Sequence, residues 1–313
     1  MSNMGEKAGT VMCRVLTDEA KQNADLVVLT SDSRGSGSLV PFATALPKQI
    51  VEVGIAEQDL VTISAGLAHS GKRTFAVSPA SFLTMRSIEQ VKVDVTYSNA
   101  NVKLIGISGG NSYSVLGSTH HSLQDLAITR ALPNLEVYMP SDQYQTAGLF
   151  KYLAHSDVPA YVRIGKKQLS DIYTNEAEAF VKPGKANVVR QGKDIALIAA
   201  GETVQTALDT ADELAKVGVS ATVVDLVSVK PLDTELIDQL CSDYPALITI
   251  EEHSIINGIG TAVAERVAAN GNTKLKIVGF PDEPAIAGTQ AEVFKYYGID
   301  GVDVAKQAVN MLS

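Results

Sequence analysis

The side chain of Glu57 is the first candidate for chemistry, because its carboxyl group stands where a short apolar strand gives way to a helix. The strand ends at Val53, Gly54 permits a tight bend, and apolar residues then recur at helical spacing from Leu60 onward. This spacing predicts that Glu57 lies in the first turn of the helix. A carboxylate there can serve only to interact with the positive end of the helix dipole, so position alone leaves a structural role open.

The neighbours of Glu57 favour a chemical role. Gly54, Ala56 and Gln58 leave little bulk near the carboxyl group, as expected where a ring of another molecule approaches closely. We expect the flanking apolar residues to raise the pKa of Glu57, because burial disfavours the charged form. A buried carboxyl group that stays partly protonated is a proton donor, and such groups cluster at active sites.

Two adjacent histidines, His120 and His121, lie in a loop rich in Gly and Ser, before a helix that Ser122 can cap. Loop histidines take part in binding or proton transfer, but many are simply solvated, and position leaves both roles open. The sequence has no His-x-x-x-His or Cys-x-x-Cys spacing, which disfavours a metal site. It also lacks the dinucleotide fingerprint and the Gly-x-x-x-x-Gly-Lys-Ser/Thr phosphate loop.

Composition narrows the class of protein. The 313 residues suffice for two ordinary α/β domains with full cores. The 45% hydrophobic content is spread evenly, without an apolar run of about 18 residues or a targeting signal, so we expect a soluble cytoplasmic protein with no membrane partner. The net charge of -9 disfavours nucleic acid as a partner but is compatible with a local basic pocket for a phosphorylated substrate. Cys13 and Cys241, one in each half, are expected to be buried thiols.

Strands and helices alternate along the chain, which predicts two consecutive α/β domains with mostly parallel sheets. We expect the first domain at 1–170, a linker at 171–190 where the periodicity weakens, and the second domain at 191–313. The first half is predicted to contain helices near 6–24, 57–68, 82–97, 123–131 and 144–154, and strands near 26–29, 51–53, 74–77, 102–107, 135–138 and 160–164. The second half is predicted to contain strands near 194–199, 221–225, 246–251 and 274–278, helices that start near Thr203, Asp233 and Gly260, and two closing helices. The polar, Gly-rich loop 30–38 follows a strand, at the kind of edge where parallel sheets bind ligands.

Several motifs, in the same order, give the chain a resemblance to a known family. In the first half they are Gly54-Ile55-Ala56-Glu57-Gln58, Phe82-Leu-Thr-Met-Arg86, Gly117-Ser-Thr-His120, the segment from Asp125 to Pro133, and Met139-Pro-Ser-Asp142. This half resembles the pyrimidine-binding domain of transketolases. Lys230-Pro231-Leu232-Asp233, Glu251-Glu252-His253 and Gly288-Thr289-Gln290 are similar to motifs in the C-terminal domain of the same family.

The resemblance implies a cofactor and three residues that contact it. In transketolases the glutamate that matches Glu57 binds the aminopyrimidine of thiamine diphosphate and promotes its imino tautomer, the base that removes the thiazolium proton. Phe82 matches the residue that stacks on the aminopyrimidine, and His120 matches a position that contacts the cofactor diphosphate and the substrate. The resemblance therefore implies that Glu57 and His120 are catalytic. A carboxyl group that is hydrogen-bonded inside an apolar pocket meets the physical requirement.

A missing motif implies a partner. Complete transketolases carry a Gly-Asp-Gly motif and a downstream Asn, which bind Mg²⁺ through oxygen, and this chain has no Gly-Asp-Gly. The chain therefore looks like the C-terminal subunit of a split transketolase. We expect an N-terminal transketolase subunit to hold the Mg²⁺ and the diphosphate, with no metal ligands in this chain. Since the family's sites lie between subunits, an α2β2 heterotetramer is expected.

Departures from the family are concentrated at the substrate end. Leu116 stands where transketolases have the aspartate that contacts a donor hydroxyl, and Ser108 stands where they have a histidine near the donor. Lys166 replaces an arginine of the phosphate-binding segment, which keeps the charge but loses the bidentate fork. Ser36 matches a serine that assists with the acceptor phosphate. These matches imply retained cofactor chemistry with altered donor recognition.

Three functions are compatible with the sequence. The first is a split transketolase that transfers a two-carbon ketol unit between phosphorylated or otherwise anionic sugars. The second is the beta subunit of a 2-oxo acid dehydrogenase, which has the same domain layout and a comparable glutamate. The third is a non-catalytic regulatory paralogue, against which the retention of Glu57, Phe82 and His120 argues.

Overall fold

The computed structural model describes residues 4–271 and 273–313 and contains two mostly parallel sheets with helices on their faces. The first sheet has seven strands: β1 (Leu26–Thr30), β2 (Ile50–Glu52), β3 (Arg73–Pro79), β4 (Val102–Ile107), β5 (Glu136–Tyr138), β6 (Ala160–Ile164) and β10 (Ser228–Lys230). The second sheet has five: β7 (Asn187–Arg190), β8 (Ile195–Ala199), β9 (Ala221–Asp225), β11 (Ala246–Ser254) and β12 (Lys274–Phe280). The prediction of two α/β units with mostly parallel sheets is confirmed.

Helices connect the strands, and one of them, at Val40–Ala45, lies where the sequence predicts no helix. The helices of the first half are α1 (Ala8–Gln22), α2 (Val40–Ala45), α3 (Glu57–His69), α4 (Ala80–Met85), α5 (Ile88–Gln90), α6 (Asp125–Ala131) and α7 (Gln143–His155). Those of the second half are α8 (Thr203–Lys216), α9 (Thr234–Asp243), α10 (Ile259–Asn270), α11 (Gln290–Tyr297) and α12 (Gly301–Leu312). Of all these helices in the described part of the chain, none combines the length and the apolar character needed to cross a membrane.

Strand order brings four chain segments to one edge of the first sheet. The order is β10-β5-β6-β4-β3-β1-β2, and the neighbours from β5 to β2 are parallel. Strands β1, β4 and β6 are buried along their full length, as expected for a sheet covered by helices on both faces. Because parallel strands all end at the same edge, the segments that follow β1, β2, β3 and β4 are neighbours in space.

The segment predicted as one helix over 82–97 is broken. Helix α4 ends at Met85, the short α5 follows, and Val91–Tyr97 forms a π-helix. Ser87 adopts a non-helical backbone conformation, and its hydroxyl donates a hydrogen bond to the carbonyl of Leu83. A serine that bonds to the backbone competes with regular helix geometry, which explains the break.

Two strands lie where none was predicted. Strand β7 falls within the stretch 171–190 that the sequence indicates as a linker, and it pairs antiparallel with β9 at the edge of the second sheet. Strand β10 lies in the second half of the chain but pairs antiparallel with β5 in the first sheet. Both strands are short and irregular in register, so they give little periodic signal.

Buried polar groups join the two halves. The carboxylate of Asp225 at the end of β9 accepts hydrogen bonds from Ser141 Oγ at 2.7 Å, Gln145 Nε2 at 2.9 Å and Tyr173 Oη at 2.7 Å. Burial raises the pKa of Asp225 to about 6. An apolar cluster also spans both halves and includes Met139 and Leu226. The halves are therefore packed against each other, and the same cluster includes the buried free cysteine Cys241.

Candidate active site

The segments that follow β1 to β4 enclose a cavity of about 370 Å³ at the carboxyl edge of the first sheet. Its volume falls within the range typical of small-molecule sites. The lining residues are Ser31, Asp32, Ser33 and Ser36 after β1, Ile55 and Glu57 after β2, Pro79, Phe82 and Arg86 at the end of β3 and beyond, and Tyr113, Leu116 and His120 after β4. Five residues that the sequence selects, Ser36, Glu57, Phe82, Leu116 and His120, thus face one space.

Glu57 is the first residue of helix α3, as the strand and helix pattern predicts. Gly54 has a φ of 75°, a left-handed conformation that favours glycine, and this bend aims the start of the helix at the cavity. The Glu57 side chain is only 5% exposed, and its Oε1 accepts a hydrogen bond from Arg86 Nη1 at 2.9 Å. Asp59 shares the first turn but is exposed, so an interaction with the helix dipole does not require the burial seen at Glu57.

Arg86 is a site residue to which the sequence interpretation gave no role. Its guanidinium carbon lies 4.1 Å from the centre of the Phe82 ring, in addition to the ion pair with Glu57. The sequence feature that could have identified Arg86 is its spacing from Phe82. Arg86 follows Phe82 by four residues, and side chains at this spacing meet on one face of a helix. The neighbours of Glu57 therefore include a permanent cation as well as the apolar groups that were expected.

Aromatic rings form the wall opposite Glu57. The Phe82 and His120 rings meet edge to face with centroids 5.4 Å apart, and the Tyr113 and His120 rings do so at 5.9 Å. Phe82 is half-buried rather than a core residue, so part of its ring faces the cavity. The Nδ1 of His120 lies 3.0 Å from the hydroxyl of Thr119, which leaves Nε2 as its other polar atom.

The two adjacent histidines have different environments. His120 lines the cavity, whereas His121 is buried, and its Nε2 donates a hydrogen bond to the carbonyl of Ser114 at 3.2 Å. Burial lowers the pKa of His121, which favours the neutral ring. Of this pair, the structure therefore brings only His120 to the candidate site.

Lys166 and Ser108 are the two predicted substrate residues that, within the described chain, fall outside the cavity lining. The Lys166 ammonium lies 4.5 Å from the centre of the Tyr113 ring, so it sits beside the cavity through a lining residue. Ser108 is buried at the end of β4, and its φ of 52° is uncommon for a residue other than glycine. This backbone conformation turns the chain into the loop that carries Tyr113 and His120.

The second half of the chain holds that loop in place. The hydroxyl of Ser118 donates to the carbonyl of Ala285 at 2.9 Å, and the backbone N–H of Gly288 donates to the carbonyl of Ser114 at 3.4 Å. The N–H of Asn111 donates to Glu252 Oε1 at 2.8 Å. The position of the cavity wall after β4 therefore depends on contacts with the second half.

The Glu251-Glu252-His253 motif lies behind the loop in a buried charged layer rather than in the cavity. Burial raises the pKa of Glu251 to about 8 and that of Glu252 to about 7, and it lowers the pKa of His253 to about 4. Glu251 accepts a hydrogen bond from the N–H of Ile259 at 2.7 Å, at the start of α10. Arg163 donates to the carbonyl of Glu252 at 2.6 Å. These contacts connect the halves structurally.

The cavity residues fit one part of a cofactor of the thiamine type. A buried carboxyl group, an aromatic face and a partly apolar wall suit a small aminopyrimidine ring, which needs a carboxyl group that can share a proton with a ring nitrogen, and a stacking surface. Metal–diphosphate binding requires oxygen ligands. Within residues 4–271 and 273–313, no group of three or more His, Cys, Asp and Glu side chains is arranged to hold a metal ion.

Comparisons with known proteins identify the same two units. The family "Transketolase, pyrimidine binding domain" matches residues 8–171, and the family "Transketolase, C-terminal domain" matches residues 184–304. The chain is 45% identical over 297 residues to one of the subunits of apulose-4-phosphate transketolase from Phocaeicola vulgatus, with 95% of each chain covered. It is 31% identical over 294 residues to the SqwH subunit of 6-deoxy-6-sulfo-D-fructose transketolase from a Clostridium species, which covers 94% of this chain and 91% of that one.

A solved structure agrees with these sequence matches. A protein described as a split gene transketolase, inactive beta4 tetramer, superposes with a TM-score of 0.89 at 32% sequence identity. The superposition covers 98% of this chain and 99% of the other. The likeness therefore extends over both halves and over their relative arrangement.

Proposed function

This chain belongs to the transketolase family, and from that premise we propose that it is the C-terminal subunit of a split, thiamine diphosphate-dependent transketolase. In this proposal the chain contributes the aminopyrimidine half of the site, and an N-terminal subunit contributes Mg²⁺ and the groups that hold the diphosphate. The observation that carries the proposal is the buried carboxyl group of Glu57 in one cavity with the exposed part of Phe82 and with His120.

The proposed chemistry divides between the cofactor and the chain. When bound, thiamine diphosphate supplies the carbanion chemistry for transfer of a two-carbon ketol unit from a donor sugar to an acceptor sugar. Glu57 holds a proton at the pyrimidine ring nitrogen, and an acid at this position contributes through general acid–base catalysis. Phe82 stacks on the same ring, and Ile55 and Leu116 add apolar surface to the cavity lining. His120 has Nε2 available for the substrate or the diphosphate.

The substrates in this proposal are anionic sugars. Two relatives carry names that specify apulose 4-phosphate and 6-deoxy-6-sulfo-D-fructose, and a phosphate and a sulfonate are both terminal anions. Lys166 beside Tyr113 supplies a positive charge next to the cavity, and Ser36 supplies a hydroxyl inside it. Leu116 in the lining presents an apolar surface at the position where other transketolases have an aspartate that contacts a hydroxyl of the donor sugar. The proposal therefore includes donor recognition that differs from that of ordinary ketose phosphate transketolases.

The same observations favour a paired, catalytic assembly over the other two functions. The full-length matches to transketolase subunits favour it over a 2-oxo acid dehydrogenase, and the retained cavity favours it over a non-catalytic paralogue. We propose an α2β2 heterotetramer. Each N-terminal subunit forms a pair with one copy of this chain, and two identical pairs assemble most simply around a two-fold axis.

Reconstitution tests the proposal. The chain is purified alone and together with an N-terminal subunit that carries Gly-Asp-Gly, and ketol transfer and thiamine diphosphate affinity are measured for both. We expect the chain alone to be inactive and to bind the cofactor weakly, and the pair to be active in the presence of Mg²⁺. Removal of Mg²⁺ with a chelator should abolish activity of the pair. Full ketol transfer by the isolated chain would contradict the division between two subunits.

A further inference from the structure

The Arg86 side chain makes both contacts that the proposed function assigns to the aminopyrimidine ring. Its Nη1 donates to Glu57 Oε1 at 2.9 Å, and its planar guanidinium lies over Phe82 with the carbon 4.1 Å from the ring centre. The first contact occupies the carboxyl group that, in the proposed function, holds a proton at the ring nitrogen. The second covers a face of the Phe82 ring.

Local sequence explains why Arg86 reaches this position. Phe82 and Arg86 are four residues apart, at the C-terminal end of the short helix α4, so their side chains lie on the same face. Ser87 breaks the helix immediately afterwards, which leaves Arg86 as the last residue of this turn. The helix dipole also favours a cation at this end. Across the cavity, Glu57 opens α3 and presents the only carboxylate that Arg86 contacts among the ion pairs of the described residues.

Exposure indicates that Arg86 is free to move while Glu57 is not. The Arg86 side chain is 49% exposed, whereas that of Glu57 is 5% exposed. Leaving the ion pair costs the half-exposed guanidinium little, because it exchanges its partner for water, whereas the buried Glu57 carboxylate needs another donor. The long arginine side chain can therefore leave the cavity when another group takes its place at Glu57.

We propose, on the basis of the proposed function, that Arg86 occupies the aminopyrimidine position in the free subunit and has to leave it when the cofactor binds. A guanidinium and a pyrimidine cannot stack on the same face of Phe82 at once, and a guanidinium bonded to Glu57 competes with the pyrimidine ring for that carboxyl group. Arg86 thereby supplies the buried carboxylate with a charged donor until the cofactor replaces it, which avoids an unpaired buried charge. Arg86 is a positioning residue that sets the apparent affinity for the pyrimidine ring.

Titration of the full chain with 4-amino-5-hydroxymethyl-2-methylpyrimidine, the ring without the diphosphate, tests this inference. We expect Arg86→Ala to lower the dissociation constant of this probe by about tenfold, the factor gained when a closed state populated about nine-tenths of the time is removed. Arg86→Lys keeps the charge but loses the planar group, so its affinity should lie between those of the wild type and Arg86→Ala. Calorimetry or ligand-observed NMR gives the affinities.

A matched control is Arg190→Ala, which removes another partly exposed arginine from an ion pair, with Asp212 at 2.8 Å, far from the cavity. Its affinity for the probe should equal that of the wild type. Thermal unfolding of each variant checks the fold. The side-chain ¹⁵N signals of Arg86 are identified as those that the wild type shows and Arg86→Lys lacks. These signals should shift when the probe is added to the wild type. A shift of these signals would show that the environment of Arg86 changes when the probe binds.

The outcomes separate this inference from the proposed function. If the wild type binds the probe and Arg86→Ala, folded, binds it equally or more weakly, the displacement of Arg86 is refuted while the cofactor site stands. If neither the wild type nor any folded Arg86 variant binds the probe, both the assignment of the cavity and the role of Arg86 are refuted. Loss of probe binding in Glu57→Gln, with tighter binding in Arg86→Ala, would support both.

Discussion

The rings of Phe82 and His120 meet edge to face with centroids 5.4 Å apart, although one follows β3 and the other follows β4. This contact joins two segments of the cavity wall that are distant in the sequence. The loop of His120 is in turn bonded to the second half through Ser118 and Ser114. A change in the second half can therefore reach the cavity without altering any lining residue.

We predict that Glu57→Gln removes catalysis but preserves the fold. Glutamine keeps the shape of the side chain and can still accept from Arg86, but it cannot hold a proton for the pyrimidine ring. In the reconstituted pair, exchange of the thiazolium carbon proton should slow by about 10²-fold or more. Exchange is followed by NMR, and thermal unfolding is measured on the same samples. Asp59→Asn, in the same first turn but exposed, is the control and should leave exchange unchanged.

A second prediction concerns donor choice. Leu116→Asp adds a carboxylate to the cavity lining, so it should improve the use of ordinary ketose phosphate donors and weaken the use of the native donor. Steady-state kinetics of the reconstituted pair on both donors measures the preference. Val115→Asp adds the same charge to the neighbouring exposed residue and should not change the preference. An equal loss of activity on every donor sugar would show that Leu116 does not determine donor preference.

Charge beside the cavity is tested at Lys166. Lys166→Ala removes the ammonium over Tyr113, and we expect it to raise KM for anionic acceptors by about tenfold and to change KM for neutral acceptors little. The adjacent Lys167 lies 3.6 Å from Glu202, so Lys167→Ala removes a nearby charge of the same sign that already has a partner. Equal effects of the two substitutions on both classes of acceptor would indicate that Lys166 does not recognise an anion.

Stability should depend on pH through Glu251. Burial raises the pKa of Glu251 from 4.5 to about 8, so between these values the folded chain binds more protons than the unfolded chain. The Glu251 contribution therefore becomes less favourable as pH rises from about 4.5 to about 8. Glu251→Gln removes this titration, and its free energy of unfolding should fall less steeply with pH over this window.

Denaturant unfolding of the wild type and of Glu251→Gln at intervals across the window measures the two slopes. Glu265→Gln changes an exposed carboxylate on α10, the helix whose first residue donates a hydrogen bond to Glu251, and should follow the wild type. Identical slopes for wild type and Glu251→Gln would mean that Glu251 is charged in the folded state at neutral pH. In that case the hydrogen bonds from Ile259 and Gly260 outweigh the cost of burial.

The sequence by itself determined the local geometry around Glu57 and the class of fold. Strand, glycine and helix signals are contiguous there, so short-range sterics and apolar spacing suffice to put Glu57 at the start of α3. Alternation of strands and helices likewise suffices for parallel sheets, because each crossover helix has to pack back onto the sheet.

Tertiary structure alone decided which side chains meet. The contact of Arg86 with Glu57 and the pairing of β10 with β5 both depend on groups far apart in the chain. Spacing along the sequence carries no information about such contacts, which follow from the strand order and from the packing of one half against the other. The break at Ser87 is the local exception: a side-chain hydrogen bond there interrupted the helix that apolar spacing predicted.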